Sequence, residues 1–413
     1  MCLHHSTLAN AARTVKAVGQ DVAGFRLEVA CPHAVAGTVR AQTLRLDTAP
    51  LREFTARFAT AEEIENWDEL VTANPNGGNM LQSAAYAAVK NGSGWKVLFL
   101  VLESGGTASY NLMLERSFPV LGRLWYLIKG PDLAVNTAAT PGADLVAALE
   151  ACKALARTAK LRVFTIKVEP DIVDSEELRA ELAHLGLVKA PNIQSNDSTA
   201  LLDISADTEA VLKAISSRAR NAVRRAEREG CEVVRQEPTP ETYRALYDLM
   251  ADTVNAKGSM PLRSYEYYTR FWDEFCSRGQ GNFFFAYEDG KPSVGAFVIN
   301  YGSKATYKDG GSVQNRKQYG DSHLVQWTAI QRMQELGCRE YDFCGTPPAA
   351  RIKDKTHNLH GMGMFKTSFT KTVTDFVGCY DYILSPLRHR LWVQGGEKVF
   401  RRIETARTGQ QFY

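Results

Sequence analysis

One order of predicted elements runs through this chain twice, and that repetition limits what it can fold into. In the first half, a short strand (54–59) leads to a helix opening at Thr60 in Thr60-Ala-Glu-Glu, a loop rich in Pro, Gly and Asn, and a second helix over 82–90. Strand-like runs follow over 96–103, 108–115 and 124–128, with Gly105-Gly106 between the first two and Gly130-Pro131 closing the third. A helix over 144–159 and a strand over 162–168 complete the unit. The second half gives a strand (231–236), a helix from Thr239, a loop through Gly258, a helix (264–276) and strands at 283–287, 293–301 and 304–308. After the pair Gly310-Gly311 come a helix (322–336) stopped by Gly337 and a strand (340–343). Both halves read β-α-α-β-β-β-α-β. The duplication rests on element order, because the halves share no obvious residue-level identity. Two like α/β units on one chain predict a cleft between them, where ligand sites preferentially lie.

Length agrees with two units, since 413 residues exceed the usual size of a single core. The most hydrophobic run, 97–102, falls far short of the ~20 residues a spanning helix needs. The N-terminus lacks a basic-then-apolar leader pattern, so the cytoplasm is the expected compartment. Eight cysteines carry no C-x-x-C pair and no histidines at zinc-like spacing, which predicts reduced structural thiols and no metal. Residues 1–52 lack sustained periodicity and are expected to form a weakly ordered extension. A net charge of +3 does not by itself announce a nucleic-acid protein, so the location of charge matters more than its sum.

Charge is concentrated in one place. The segment 211–228, stopped by Gly230, predicts a single helix with an apolar stripe of Leu212, Ile215, Ala219, Ala222, Val223 and Ala226. Arg220, Arg224 and Arg228 fall at i, i+4 and i+8 on another face, beside Arg218 and Arg225. Such a ridge suits phosphate contact, and it equally suits a solvated basic surface.

Motifs in order then carry a resemblance. Ser217-Arg-Ala-Arg-Asn-Ala-Val-Arg-Arg-Ala-Glu-Arg-Glu-Gly230, Tyr307-Lys-Asp-Gly-Gly-Ser312, His323-Leu-Val-Gln-Trp-Thr-Ala-Ile330, Gly337-Cys-Arg-Glu-Tyr-Asp-Phe-Cys-Gly345 and Gly363-Met-Phe-Lys366 resemble successive motifs of the FemABX family. In the first half, Met80-Leu-Gln-Ser83 with Lys90, Lys129-Gly-Pro131 and Lys167-Val-Glu-Pro170 are similar to further family motifs. The resemblance covers about residues 53–395. It implies an α/β fold of two tandem GNAT-type acyltransferase domains: 53–206 completed by 375–413, and 207–374. The stretch 277–287 leaves no room for the helical arm some members carry.

The same resemblance implies transfer of an amino acid from aminoacyl-tRNA onto an amine of a peptidoglycan precursor stem peptide. Its acceptor is lipid II or the UDP-MurNAc-pentapeptide, and peripheral contact with the inner face of the membrane is expected, with a monomeric protein and no lasting nucleic-acid complex. Lys366 is implied as the cation beside the developing oxyanion, with Phe365 as a wall, and Glu169 as a group handling the attacking amine. Lys90 and Arg263 are implied for the precursor diphosphate, with Tyr267 and Tyr307 beside it; Arg220, Arg224 and Arg228 are implied for tRNA. No cofactor is expected. Rival readings are acetyl-CoA-dependent N-acetyl transfer and aminoacyl transfer to a peptide antibiotic. Acetyl-CoA needs a glycine-rich turn at a helix N-terminus, whereas the two candidate turns read Arg316-Lys-Gln-Tyr-Gly-Asp-Ser322 and Thr140-Pro-Gly-Ala-Asp144.

Overall fold

The computed structural model describes residues 52–408 except 92, 134–139, 195 and 258–261. All of the expected extension but its last residue lies outside the described residues. The region from Ala49 onward is one compact unit built on two mixed sheets. The first has seven strands in the order Thr55–Phe58, Lys96–Ser104, Thr107–Phe118, Gly122–Leu127, Val163–Val168, Tyr380–Ile383 and Val188–Lys189. The second has six, in the order Leu201–Asp203, Glu340–Asp342, Lys304–Ser312, Lys291–Tyr301, Gly281–Glu288 and Val233–Gln236. In each sheet the fourth and fifth strands of the repeated unit run parallel while the preceding hairpins are antiparallel. This is the GNAT-type pattern, present twice.

Local chemistry explains the elements. Thr60 and Glu63 form a reciprocal capping box that starts the helix Ala61–Glu65. Ser83, Ser175 and Ser264 cap the helices Ala84–Lys90, Glu176–His184 and Tyr265–Cys276. Strand Gly281–Glu288 begins soon after helix Tyr265–Cys276 ends, so no helical arm intervenes. No helix among the described residues is long and apolar enough to cross a membrane.

Two expectations are corrected. The strand from Lys304 does not stop at 308 but continues through Gly310-Gly311 to Ser312. Gly311 is required there because a Cβ would collide with the Leu249 carbonyl of the packed helix. The basic segment is also two helices, Thr208–Ala214 and Ser217–Arg228. The backbone is extended at Ile215 and Ser216. Ser216 caps Ala219 N–H, and its own N–H donates to Ser368 O at 3.0 Å. A serine N-cap with a tertiary partner outcompetes continuation of the helix.

The two sheets share one hydrophobic core. Trp67, Tyr86 and Tyr126 from the first half join Trp272, Phe283 and Tyr301 from the second in the same buried cluster. Asp68 accepts hydrogen bonds from Tyr301 Oη at 2.9 Å and Gln280 Nε2 at 3.0 Å, and Arg270 donates to Ala88 O and Asn91 O at 2.6 and 2.9 Å. The units are therefore held together by core packing rather than by a linker.

Candidate functional site

In the second sheet, Lys304–Ser312 pairs with Glu340–Asp342 only as far as Thr306 opposite Asp342. The pairing ends there, beside half-buried Tyr307 and Lys308 and the turn after Asp342. Lys308 is the extra residue of a bulge, since Phe297 pairs with Asp309 and Val298 with Tyr307. Helix His360–Thr370 reaches the turn after Asp342 through Lys366. From it, buried Lys366 sends Nζ to Cys344 O at 3.1 Å and Gly345 O at 3.0 Å, with the Tyr307 ring centroid 5.8 Å away. Burial, with Asp342, pushes the Cys344 thiol up to about 12 against the pull of Lys366, Lys308 and Lys129. It is therefore a protonated structural thiol rather than a nucleophile. Phe365 packs edge-on against His323 at 4.9 Å, and burial, with Arg218, holds that imidazole down near 4.

The end of strand Val163–Val168 is linked to this region through Lys129, whose charge acts on both Glu169 and Cys344. Buried Glu169 accepts from Tyr126 Oη, from Ile193 N at 2.8 Å and from Gln194 N at 3.1 Å. Burial pushes its carboxyl up while these donors and Lys129 pull it back. A carboxylate so fully hydrogen-bonded is engaged in fixing the 193–194 turn, which is the geometry of a positioning group. Lys129 (φ 47°) and Cys344 (φ 56°) are both non-glycine residues in the left-handed region, one at a strand end of each half. Such strain gathers at functional clefts.

The precursor-binding candidates meet. Buried Lys90, at the end of helix Ala84–Lys90, lies 5.5 Å from the Tyr86 ring centroid. Arg263 sits 4.5 Å over Tyr267, which stacks on Phe271. Burial, then the positive charges of Arg263 and Arg116, pull the Lys90 ammonium down to about 7. Arg116 covers Trp95 at 5.3 Å. Lys308 adds a further cation 5.0 Å over Phe271; burial would lower it, yet Asp309, Tyr268 and Tyr267 hold it above its ordinary value. Arg116, Lys308, Tyr126 and Lys129 were not singled out from sequence as site residues. Arg116 and Tyr126 sit in strands, Lys308 on a strand bulge and Lys129 just past a strand end, and what brings them together is the fold.

The electrostatic neighbours close a ring: Lys90, Tyr86, Glu169, Lys129, Cys344, Lys366, Tyr307, Lys308, Tyr267 and Arg263 each influence or touch the next through shared partners. A cavity of about 280 Å³ lies to one side, lined by Asn79, Lys129, Asp171, Lys304, Glu340 and Asp342 among others. Its two lysines are committed, Lys129 to Asp171 at 2.9 Å and Lys304 to Gly78 O at 3.1 Å. Its three carboxylates make it a poor seat for phosphate, whereas the cation cluster suits an anionic ligand.

The basic ridge is divided in role. Arg220 donates to Lys213 O and Ile215 O, both at 2.6 Å, closing the end of the preceding helix. Arg224 and Arg228 are exposed, and Arg225 pairs with Glu229. Both candidate coenzyme turns hold a carboxylate. In the second half, buried Asp321 accepts from Ser322 N at 2.6 Å and from Arg316 Nε at 2.6 Å, filling the helix N-terminus. In the first half, Glu181 accepts from Ala143 N at 3.0 Å. In each turn a carboxylate already takes a backbone N–H of the kind a pyrophosphate would need.

Comparison with known proteins agrees with this architecture. Residues 214–353 match the acetyltransferase (GNAT) domain family. The lipid II:glycine glycyltransferase of Staphylococcus aureus is 30% identical over 97 residues, 24% of this chain; the chain spans 22% of that relative's length. The crystal structure of FemX superposes with a TM-score of 0.68 at 20% identity, over 82% of this chain and 99% of the FemX chain. The chain thus carries a GNAT-type acyltransferase domain over 214–353 and shares its two-unit fold with FemX.

Proposed function

We propose that this chain moves an aminoacyl group from aminoacyl-tRNA onto the side-chain amine of a peptidoglycan precursor stem peptide. The observation that carries the reading is the Lys90–Arg263–Tyr267 cluster, cations from both halves converging on one place that is linked to Lys366 through Lys308 and Tyr307. A diphosphate-bearing acceptor matches it, because guanidinium and ammonium groups over aromatic faces suit phosphate oxygens. The acceptor amine attacks the ester carbonyl and forms the C–N bond. The resulting oxyanion draws on Lys366, and collapse breaks the C–O bond to the tRNA ribose, whose hydroxyl receives the proton lost by the amine. Exposed Arg224 and Arg228, near the helix that carries Lys366, suit the RNA backbone. Acetyl transfer from acetyl-CoA is the weaker reading, since carboxylates fill both turns that would hold its pyrophosphate.

The test is incubation of the purified protein with tRNA charged with labelled Gly, Ala or Ser and either the lipid-linked or the nucleotide-linked precursor. RNase-sensitive label in the precursor, lost by a folded Lys366→Ala protein, supports the reading. Consumption of acetyl-CoA with no transfer from any charged tRNA refutes it.

A further inference from the structure

The C-terminal helices carry a surface that the transfer reaction does not use. Residues 386–408 form two helices, Pro386–Leu391 and Glu397–Thr408, joined through a kink at Gly395. Leu387, Leu391, Val393, Val399 and Ile403 are between 50% and 71% exposed, a dense group among the exposed large apolar residues of the described chain. On the second helix Val399, Ile403 and Ala406 fall at i, i+4 and i+7, a single apolar stripe facing outward. Lys398 and Arg402 border it and Arg390 lies on the preceding helix, all three exposed and without an acidic partner among the described residues.

The inward face of the same helix is firmly anchored. Phe400 packs on Phe118 at 4.7 Å and on Trp392 at 6.1 Å, and Glu404 pairs with Arg116 at 2.8 Å. Arg116 is one of the two cations that depress Lys90. The exposed stripe is thus the outer side of an element whose inner side braces the candidate diphosphate site.

We propose that residues 386–408 dock the protein onto an anionic lipid bilayer, with Leu387, Leu391, Val393, Val399 and Ile403 entering the headgroup boundary and Arg390, Lys398 and Arg402 meeting lipid phosphates. An outward apolar stripe flanked by cations is the signature of a helix lying in a membrane interface. A second copy of the chain is a poorer occupant, because a two-fold contact through this face would bring two surfaces of like charge together. RNA would be drawn by the cations but has no use for the apolar stripe. Docking through this face brings the Lys90–Arg116 cluster towards the headgroup level. Resting on the aminoacyl-transfer reading, it selects the lipid-linked acceptor over the nucleotide-linked one.

The test is flotation of the full-length protein with phosphatidylcholine vesicles and with vesicles of phosphatidylcholine and phosphatidylglycerol, at low and high salt. Salt-sensitive binding to the anionic vesicles is expected, with at least a tenfold lower partition coefficient for the double variant Val399→Asp/Ile403→Asp and a smaller loss for Arg390→Ala/Lys398→Ala/Arg402→Ala. The aspartate variant should keep its circular dichroism and its rate on the nucleotide-linked precursor while slowing on the lipid-linked one in vesicles. Absent binding to anionic vesicles overturns the proposal. So does equal binding by the aspartate variant, or a wild-type dimer that this variant converts to monomer. Vesicle binding with no transfer to either acceptor would leave the membrane surface standing and refute the transfer reading alone.

Discussion

Replacing Lys90 by methionine should stabilise the fold while weakening the site. The ammonium is buried beside two other cations, and its titration falls from 10.5 to about 7. The sign follows from proton binding. Between pH 7 and 10.5 the unfolded chain holds this proton and the folded chain does not, so stability rises with pH across that window. The penalty for burying the charged form is complete below pH 7, where the shift corresponds to roughly 5 kcal/mol, and it fades towards pH 10.5. Methionine keeps the length of the side chain without the charge. Urea denaturation of both proteins at pH 7, 8 and 9 should show Lys90→Met more stable at pH 7 by as much as about 4 kcal/mol. That advantage should shrink by about 1.4 kcal/mol per pH unit, and taking the difference between the two proteins cancels every other titrating group. A difference that stays constant from pH 7 to 9, or a less stable variant at pH 7, would refute the argument that a charge held at a cost occupies this position.

Three further outcomes follow from the same geometry. Because a diphosphate favours charged Lys90, affinity of the wild-type protein for the nucleotide-linked precursor should fall up to about tenfold per pH unit above pH 7, and calorimetry on Lys90→Met should show this slope abolished. A Cβ at Gly310 would overlap Tyr307 Oη, so Gly310→Ala should displace the ring beside Lys366, cost about 1–3 kcal/mol and slow transfer; adding Tyr307→Phe should recover part of the stability. Glu169→Gln should cost about 1–3 kcal/mol, since its amide nitrogen opposes donors already present at Tyr126, Ile193 and Gln194; faster hydrogen exchange at Ile193 and Gln194 is the readout.

Much of the fold is legible because strand and helix periods, turn glycines and serine or threonine caps act locally. Thr60 with Glu63 is readable from four letters. What escapes is whatever a distant partner decides. Ser216 breaks the basic helix, and the break is held by Ser368, far along the chain. Lys308 looks like one more strand residue until the bulge against Phe297 and Val298 turns it towards Tyr267. Arg116 joins the cation cluster because the end of strand Thr107–Phe118 lies under helix Glu397–Thr408. Val399 and Ile403 have core spacing yet face outward, since Phe400 and Glu404 take the inner side of that helix. Lys90, Arg263, Tyr267, Tyr307 and Lys366, named through family motifs, do come to line one region. Arg220 shows the opposite case: its letter fits a phosphate ligand, and its guanidinium instead closes a helix end.

The buried aromatic cluster shared by both sheets has a consequence for how such a protein can be altered. Domains joined by a small polar contact tolerate exchange and rotate freely; those joined through a large apolar one do neither. Here Trp67, Tyr86 and Tyr126 interlock with Trp272, Phe283 and Tyr301. Grafting one half from a relative would therefore sever packed aromatic contacts rather than a tether, and new acceptor specificity is more accessible through side chains lining the cleft than by trading whole halves.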